Sequence, residues 1–209
     1  MYTIDKQFSF CYGHRVYVQK LNQDFCGEDN KPKCRHLHGH EGLVHIFLES
    51  EWLNEQSMVT DFKHLGWLKS FIDNTLDHKF VIDFNDPMFQ ELVINVHGKS
   101  VSDYIDLEGY LVKHTVPVFV PGTNFAVGRT VALAETPGTP QYETLQGYFI
   151  VDFVPTSENL SAWMWALVQA KMAKIEVKVS RVDWFETPKS RASFVPSEAA
   201  YLSLSAKID

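Results

Sequence analysis

The N-terminal segment Tyr2 to Val18 alternates apolar and polar residues and is rich in β-formers. Alternation places Phe8, Phe10, Tyr12 and His14 on one face of a strand. Turn formers and polar residues from Gln19 to Lys33 predict a loop. Cys34-Arg-His-Leu-His-Gly-His40 follows and runs into a second predicted strand over residues 42–49. Thr60 or Asp61 can cap a helix whose Leu65, Leu68, Ile72 and Leu76 recur at helical spacing. Residues 76–80 close that unit, and Asn85-Asp86-Pro87 reads as a turn. Thr156, Ser157, Glu158 and Asn159 supply capping residues for a second amphipathic helix, with Leu160, Trp163, Met164, Leu167 and Met172 available for burial. Residues 175–186 alternate as a strand, and the tail beyond is strand-like. Between these halves, residues 88–150 contain Pro117, Pro121, Pro137, Pro140 and short β-like runs at 111–112, 116–120 and 148–153. That region reads as an insertion of short strands and loops within a single domain spanning 1–209. Long crossovers between matched parallel strands are not evident, so the pattern predicts the α+β class with an antiparallel sheet.

Composition narrows the function. The chain has 209 residues, of which 45% are hydrophobic and 22% charged, close to an ordinary globular protein. A net charge of −7 argues against a basic face for nucleic acid or anionic lipid, and an anionic substrate would need a local basic pocket. The N-terminus has no apolar leader segment, and no apolar run is long enough to span a membrane. Cys11, Cys26 and Cys34 make an odd number, which predicts free thiols in a reducing cytoplasm. Histidine is the departure: the chain has nine, with His36, His38, His40 and His45 crowded together.

His38 and His40 stand two apart in or entering a strand, so both imidazoles point to one side. His14 can supply a third nitrogen if the two strands pair. Three histidines on a rigid sheet with a fourth position open is the layout of a catalytic zinc site. Two other arrangements use the same residues. The His-x-His pair can lie solvated in a turn, or Cys34 can add a fourth ligand and close a structural site. His36 shares the parity of His38 and His40, whereas His45 belongs to the opposite face.

Five motifs follow one another in order: Phe10-x-x-x-His14-Arg15, Cys34-x-x-x-His38-Gly-His40, Met58-Val-x-Asp61-Phe62-x-x-Leu65, Leu76-Asp77-His78-Lys79, and Thr156-Ser157-Glu158-Asn159 with Glu186-Thr187 after it. Together they resemble the 6-pyruvoyl tetrahydropterin synthase family, in particular its 6-carboxytetrahydropterin synthase branch of queuosine biosynthesis. The resemblance implies the tunnelling fold, a four-stranded antiparallel sheet with two helices on one face, assembled as a trimer or hexamer with active sites between subunits. It implies Zn²⁺ on His14, His38 and His40. Cys34 matches the general base, and Asp77 with His78 the proton relay. Glu186 matches the pterin anchor, so that it can serve a pocket whose zinc belongs to a neighbour. Thr156, Ser157 and Glu158 match a stretch near the pterin. The implied reaction converts 7,8-dihydroneopterin triphosphate to 6-carboxy-5,6,7,8-tetrahydropterin with release of acetaldehyde and triphosphate. A 6-pyruvoyl-tetrahydropterin synthase and a non-catalytic zinc-stabilised pterin or purine binder share the same residues. Glu41-Gly42 after the His-Gly-His run and His36 two after Cys34 depart from the family pattern and alter the pocket wall. Arg15, Lys33, Arg35 and Lys79 are the cations near the motifs for the triphosphate.

Overall fold

The computed structural model describes residues 1–28, 30–99, 106–133 and 137–208. Residue 29 of the predicted loop and residues 100–105 and 134–136 of the predicted insertion lie outside the described residues. β1 (Tyr2–His14) and β2 (His38–Ser50) pair antiparallel over their whole length, from Tyr2 opposite Ser50 to His14 opposite His38. Asp61, rather than Thr60, caps the helical turn that follows, accepting the Lys63 backbone N–H at 2.7 Å. That turn leads into α1 (Gly66–Thr75) and then β3 (Lys79–Asp83). The central region contains α2 (Leu107–His114), β4 (Thr115–Phe119), β5 (Ala126–Val131), α3 (Pro140–Gln146) and β6 (Tyr148–Val151). Thr156 caps α4 (Ser157–Met172) by accepting the Asn159 N–H, and β7 (Lys178–Thr187), β8 (Ser190–Phe194) and α5 (Glu198–Ile208) complete the chain.

All eight strands belong to one sheet in the order β4-β5-β6-β3-β1-β2-β7-β8. β1, β2, β7 and β8 are mutually antiparallel neighbours. Their core-facing side chains, among them Phe8, Phe10, Val44, Ile46, Val182 and Trp184, form one apolar cluster with α1 and α4 through Leu68, Ile72, Met164 and Val168. This is the four-stranded, two-helix body that the motifs imply.

The central region departs from expectation. β3 pairs parallel with β1 at Tyr12 and Gly13, and β6 pairs parallel with β3, so the sheet is mixed, not wholly antiparallel. β3 escapes periodicity because it is buried on both faces. Val81 enters the main core and Ile82 a second core with Phe89, Ile94, Leu111 and Ile150, so its apolar residues run consecutively. Leu111-Val112, expected as strand, lies within α2, which Asp106 caps by accepting the Gly109 N–H at 2.8 Å. The tail adds a helix to the expected strand. Among the described residues, no helix is long and apolar enough to cross a membrane.

The chain leaving β1 is clamped against the end of β3. Arg15 Nε lies 3.0 Å from Asp86 Oδ2, and Tyr17 donates to Asp83 at 3.0 Å. Arg15 and Asp86 are both buried. Removing one partner leaves an uncompensated buried charge, so Asp86→Ala is expected to cost about 3–5 kcal/mol. Urea unfolding of the variant would check this; a loss below about 1 kcal/mol would refute the clamp.

Candidate metal centre and active site

Strand register builds the centre. Tyr12 sits opposite His40 and His14 opposite His38, so three imidazoles gather at one end of the core-facing side of the sheet. Their ring centroids are 4.6, 4.9 and 5.1 Å apart. One ligand atom from each lies within 4.8 Å of the others, a group that can hold a metal ion. Nδ1–H of His14 donates to the Pro155 carbonyl at 2.6 Å, and Nδ1–H of His38 to the His36 carbonyl at 2.8 Å. Those bonds leave the Nε2 lone pairs for a ligand, the usual outer-sphere arrangement of metal-binding histidines. His40 Nε2 and His14 Nε2 approach to 3.1 Å, a separation that needs a proton or a cation between two such nitrogens. The residues therefore fit a divalent ion that takes imidazole.

Burial pushes His14 down to about 4, and burial also lowers His40, so His14 remains a neutral ligand at pH 7. Its pKa in the folded state lies below the unfolded value of about 6.5, so the unfolded chain takes up the proton first as pH falls. Stability of the metal-free protein is thus expected to be intact above about 6.5 and to decline toward about 4. Denaturant titrations in chelator across that range would check it, and a His14→Gln variant should show a shallower decline.

Tyr12 and Pro155 are contributions that sequence reasoning missed. The Tyr12 ring packs 5.3 Å from His14 and 5.8 Å from His40, and its hydroxyl accepts from Trp184 Nε1–H at 2.9 Å. Its shared parity with His14 was the available signal. Pro155 acts through a backbone carbonyl, for which residue identity offers none.

Glu186, next to last in β7, has its carboxylate 3.8 Å from His14 Nε2 of its own subunit. Thr156, Ser157 and Glu158 adjoin the same place, because Pro155 immediately precedes them. Cys34 lies half-buried in a 3-10 turn, with its N–H on the Gln19 side-chain oxygen at 2.9 Å and its carbonyl accepting from Val16 N–H at 2.7 Å. Among the described residues its sulfur is not part of the metal group, so a closed Cys-His₃ site is not formed. His36 is exposed outside β2, and His45 lies on the opposite side of the sheet with Asp5 at 2.5 Å.

Asp77 and His78 follow α1 in a tight turn. Neighbouring residues seldom pair through their side chains, but His78 adopts the left-handed region at φ 58°, and its Nδ1 lies 3.1 Å from Asp77 Oδ2. The other Asp77 oxygen accepts the Cys11 N–H at 2.8 Å, while His78 N–H returns to the Cys11 carbonyl at 2.7 Å. The Cys11 N–H, ahead of the His78 contact, holds the Asp77 carboxyl below its usual range. An open cavity of about 750 Å³ is lined by His38, His40, His78 and Lys79, with Glu143 and Tyr148 from the central region. Cys34 and Glu186 are not in its lining, so one subunit does not bring every motif residue to one cavity. Of the cations considered for a triphosphate, Arg15 is committed to Asp86, and Lys79 donates to the Gln146 carbonyl at 2.8 Å.

The family model of 6-pyruvoyl tetrahydropterin synthase matches residues 3–197. A 6-carboxy-5,6,7,8-tetrahydropterin synthase from Aquifex aeolicus is 30% identical over 202 residues, covering 92% of this chain and 97% of the relative. One from Rickettsia felis is 26% identical over 145 residues, covering 66% of this chain and 96% of its own length. The first relative is therefore matched by nearly the whole chain and the second by only part of it. A crystal structure of an uncharacterized protein from Wolinella succinogenes is similar at a TM-score of 0.78 and 40% identity, covering 94% of this chain and 98% of that one. With its motifs in order and its three histidines converging at one end of the four-stranded body, the chain belongs to the 6-pyruvoyl tetrahydropterin synthase family and has its tunnelling fold.

Proposed function

We propose that this protein is a zinc-dependent 6-carboxy-5,6,7,8-tetrahydropterin synthase, a lyase acting in queuosine biosynthesis. Its substrate is 7,8-dihydroneopterin triphosphate, with acetaldehyde and triphosphate released. The observation that carries the reading is the gathering of His14, His38 and His40, with no fourth protein ligand among the described residues, in a chain resembling the Aquifex enzyme along nearly its whole length. Zinc bound there supplies a Lewis acid for a substrate hydroxyl. Cys34 removes the proton from the adjacent side-chain carbon. Asp77 orients the His78 ring and raises its basicity for proton return. Glu186 accepts paired N–H bonds from the pterin edge, with Thr156, Ser157 and Glu158 beside it.

In this reading residues 88–150 are an insertion within one domain. Three subunits, or two stacked trimers, assemble so that the cavity bearing His78 meets a neighbour's Cys34. The separation of those residues in one subunit favours this arrangement. Assembly also covers free strand edges of the sheet. The enzyme works in the cytoplasm on a small molecule, with neither nucleic acid nor membrane as partner. Zinc-loaded protein incubated with 7,8-dihydroneopterin triphosphate is expected to yield 6-carboxytetrahydropterin by mass spectrometry. A 6-pyruvoyl product would reassign the branch, and no turnover would refute the enzyme.

A further inference from the structure

Hydrogen bonds orient two of the three histidines in the metal group, but not the third. Nδ1–H of His14 is held by the Pro155 carbonyl and Nδ1–H of His38 by the His36 carbonyl. Among the described residues His40 Nδ1 has no hydrogen-bond partner, and its Nε2 meets only His14 Nε2 at 3.1 Å. Metal-binding imidazoles are ordinarily aimed by a bond to the second ring nitrogen. The direction of the His40 ring therefore has to come from packing.

Tyr12, directly opposite His40 across β1 and β2, supplies that packing. Its ring centre lies 5.8 Å from that of His40 at an interplanar angle of 43°, and 5.3 Å from that of His14 at 58°. The core fixes the Tyr12 ring in turn. Trp184 stands edge-on to it at 5.4 Å and 86°, with its Nε1–H donated to the Tyr12 hydroxyl at 2.9 Å. Phe10 adds a tilted contact at 5.6 Å. All three rings are buried, so none has room to swing in a close-packed interior. Gly42, two residues beyond His40 on β2, completes the seat. A Cβ there would stand 2.9 and 3.0 Å from two Tyr12 ring carbons. Gly42 does not have a positive φ, so what it provides is space for the ring rather than backbone freedom.

We propose that Tyr12 is a positioning residue for the metal centre: its ring, seated against Trp184 and Gly42, holds the His40 imidazole in the direction that lets it share an ion with His14 and His38. The proposal rests on the metal site proposed above. Its test reads the surroundings of the metal rather than turnover. Protein loaded with Co²⁺ reports ligand geometry through its visible absorption bands, and chelator competition gives zinc affinity. Tyr12→Leu, which removes the ring and keeps an apolar side chain, is expected to shift the bands and weaken zinc binding about tenfold. That is the lower end of what loss of an outer-sphere partner costs. Tyr12→Phe should keep the bands and hold zinc affinity within about threefold, while its thermal midpoint falls because Trp184 Nε1–H loses its acceptor. Gly42→Ala presses one methyl group on the ring and alters no ligand, so it should shift the bands too. Added to Tyr12→Leu it should shift them no further, because the crowded ring is gone. Wild-type bands and affinity in Gly42→Ala and in folded Tyr12→Leu would overturn the proposal; if Tyr12→Leu does not fold, Gly42→Ala decides alone. An equal loss of affinity in Tyr12→Phe would also overturn it, since the ring would not be the positioning element. If the wild type itself gives no cobalt bands, the metal site fails and this inference with it.

Discussion

Replacing His40 with alanine is expected to lower zinc affinity by more than about 100-fold and to abolish turnover with it. Loss of an outer hydrogen-bond partner alone commonly costs 10–100-fold in metal affinity, and His40 contributes an imidazole directly to the group. His40 is a cleaner choice than His14, whose ring is fully buried and bonded to Pro155, so that its loss would also disturb packing. His40 is half-buried and lines an open cavity, so the apo fold should survive its truncation. A chelator-competition titration reads the affinity, and circular dichroism confirms the fold. Wild-type zinc binding in His40→Ala would remove the three-histidine site from the account.

Cys34→Ala is expected to do the opposite on one axis and the same on the other. Zinc should remain at wild-type stoichiometry, because the Cys34 sulfur is outside the metal group. Turnover should fall by about 10²–10⁴-fold, the usual contribution of a positioned proton-transfer group. Fold disturbance should be small, since the contacts holding the Cys34 turn are the backbone bonds to Gln19 and Val16, which alanine preserves. Loss of zinc together with activity would mean a structural site closed by the thiolate. Activity within tenfold of wild type would assign the base elsewhere. The two variants together separate metal binding from proton transfer.

Much of this centre was legible before any coordinates. Alternation in β1 put His14 beside Phe10 and Tyr12, and the two-residue step put His38 and His40 on a common side. Those are local consequences of the pleat. The caps were legible to the segment, Thr60 or Asp61 for the first and the 156–159 run for the second, because an oxygen acceptor two or three residues ahead of a free N–H is a property of a short segment; the structure chose Asp61 and Thr156. Arg15 shows where this fails. Beside a metal ligand it looks like a free cation, but the fold spends its charge on Asp86, and no spacing rule links those positions. His78 fails in another way: its contact with Asp77 depends on a left-handed backbone that a sequence of non-glycine residues does not announce.

The sequence by itself determined which residues share a face and which chemistry they carry: three imidazoles, one thiol, the Asp77-His78 pair and the Glu186 carboxylate in a fixed order. Only the tertiary structure decided their neighbours. The Pro155 carbonyl that orients His14 lies 141 residues away, and β3 and β6 bring the central region to the metal-bearing end of the sheet through parallel pairings. Periodicity encodes the direction a side chain points, whereas burial and long-range pairing emerge only when separate elements pack together.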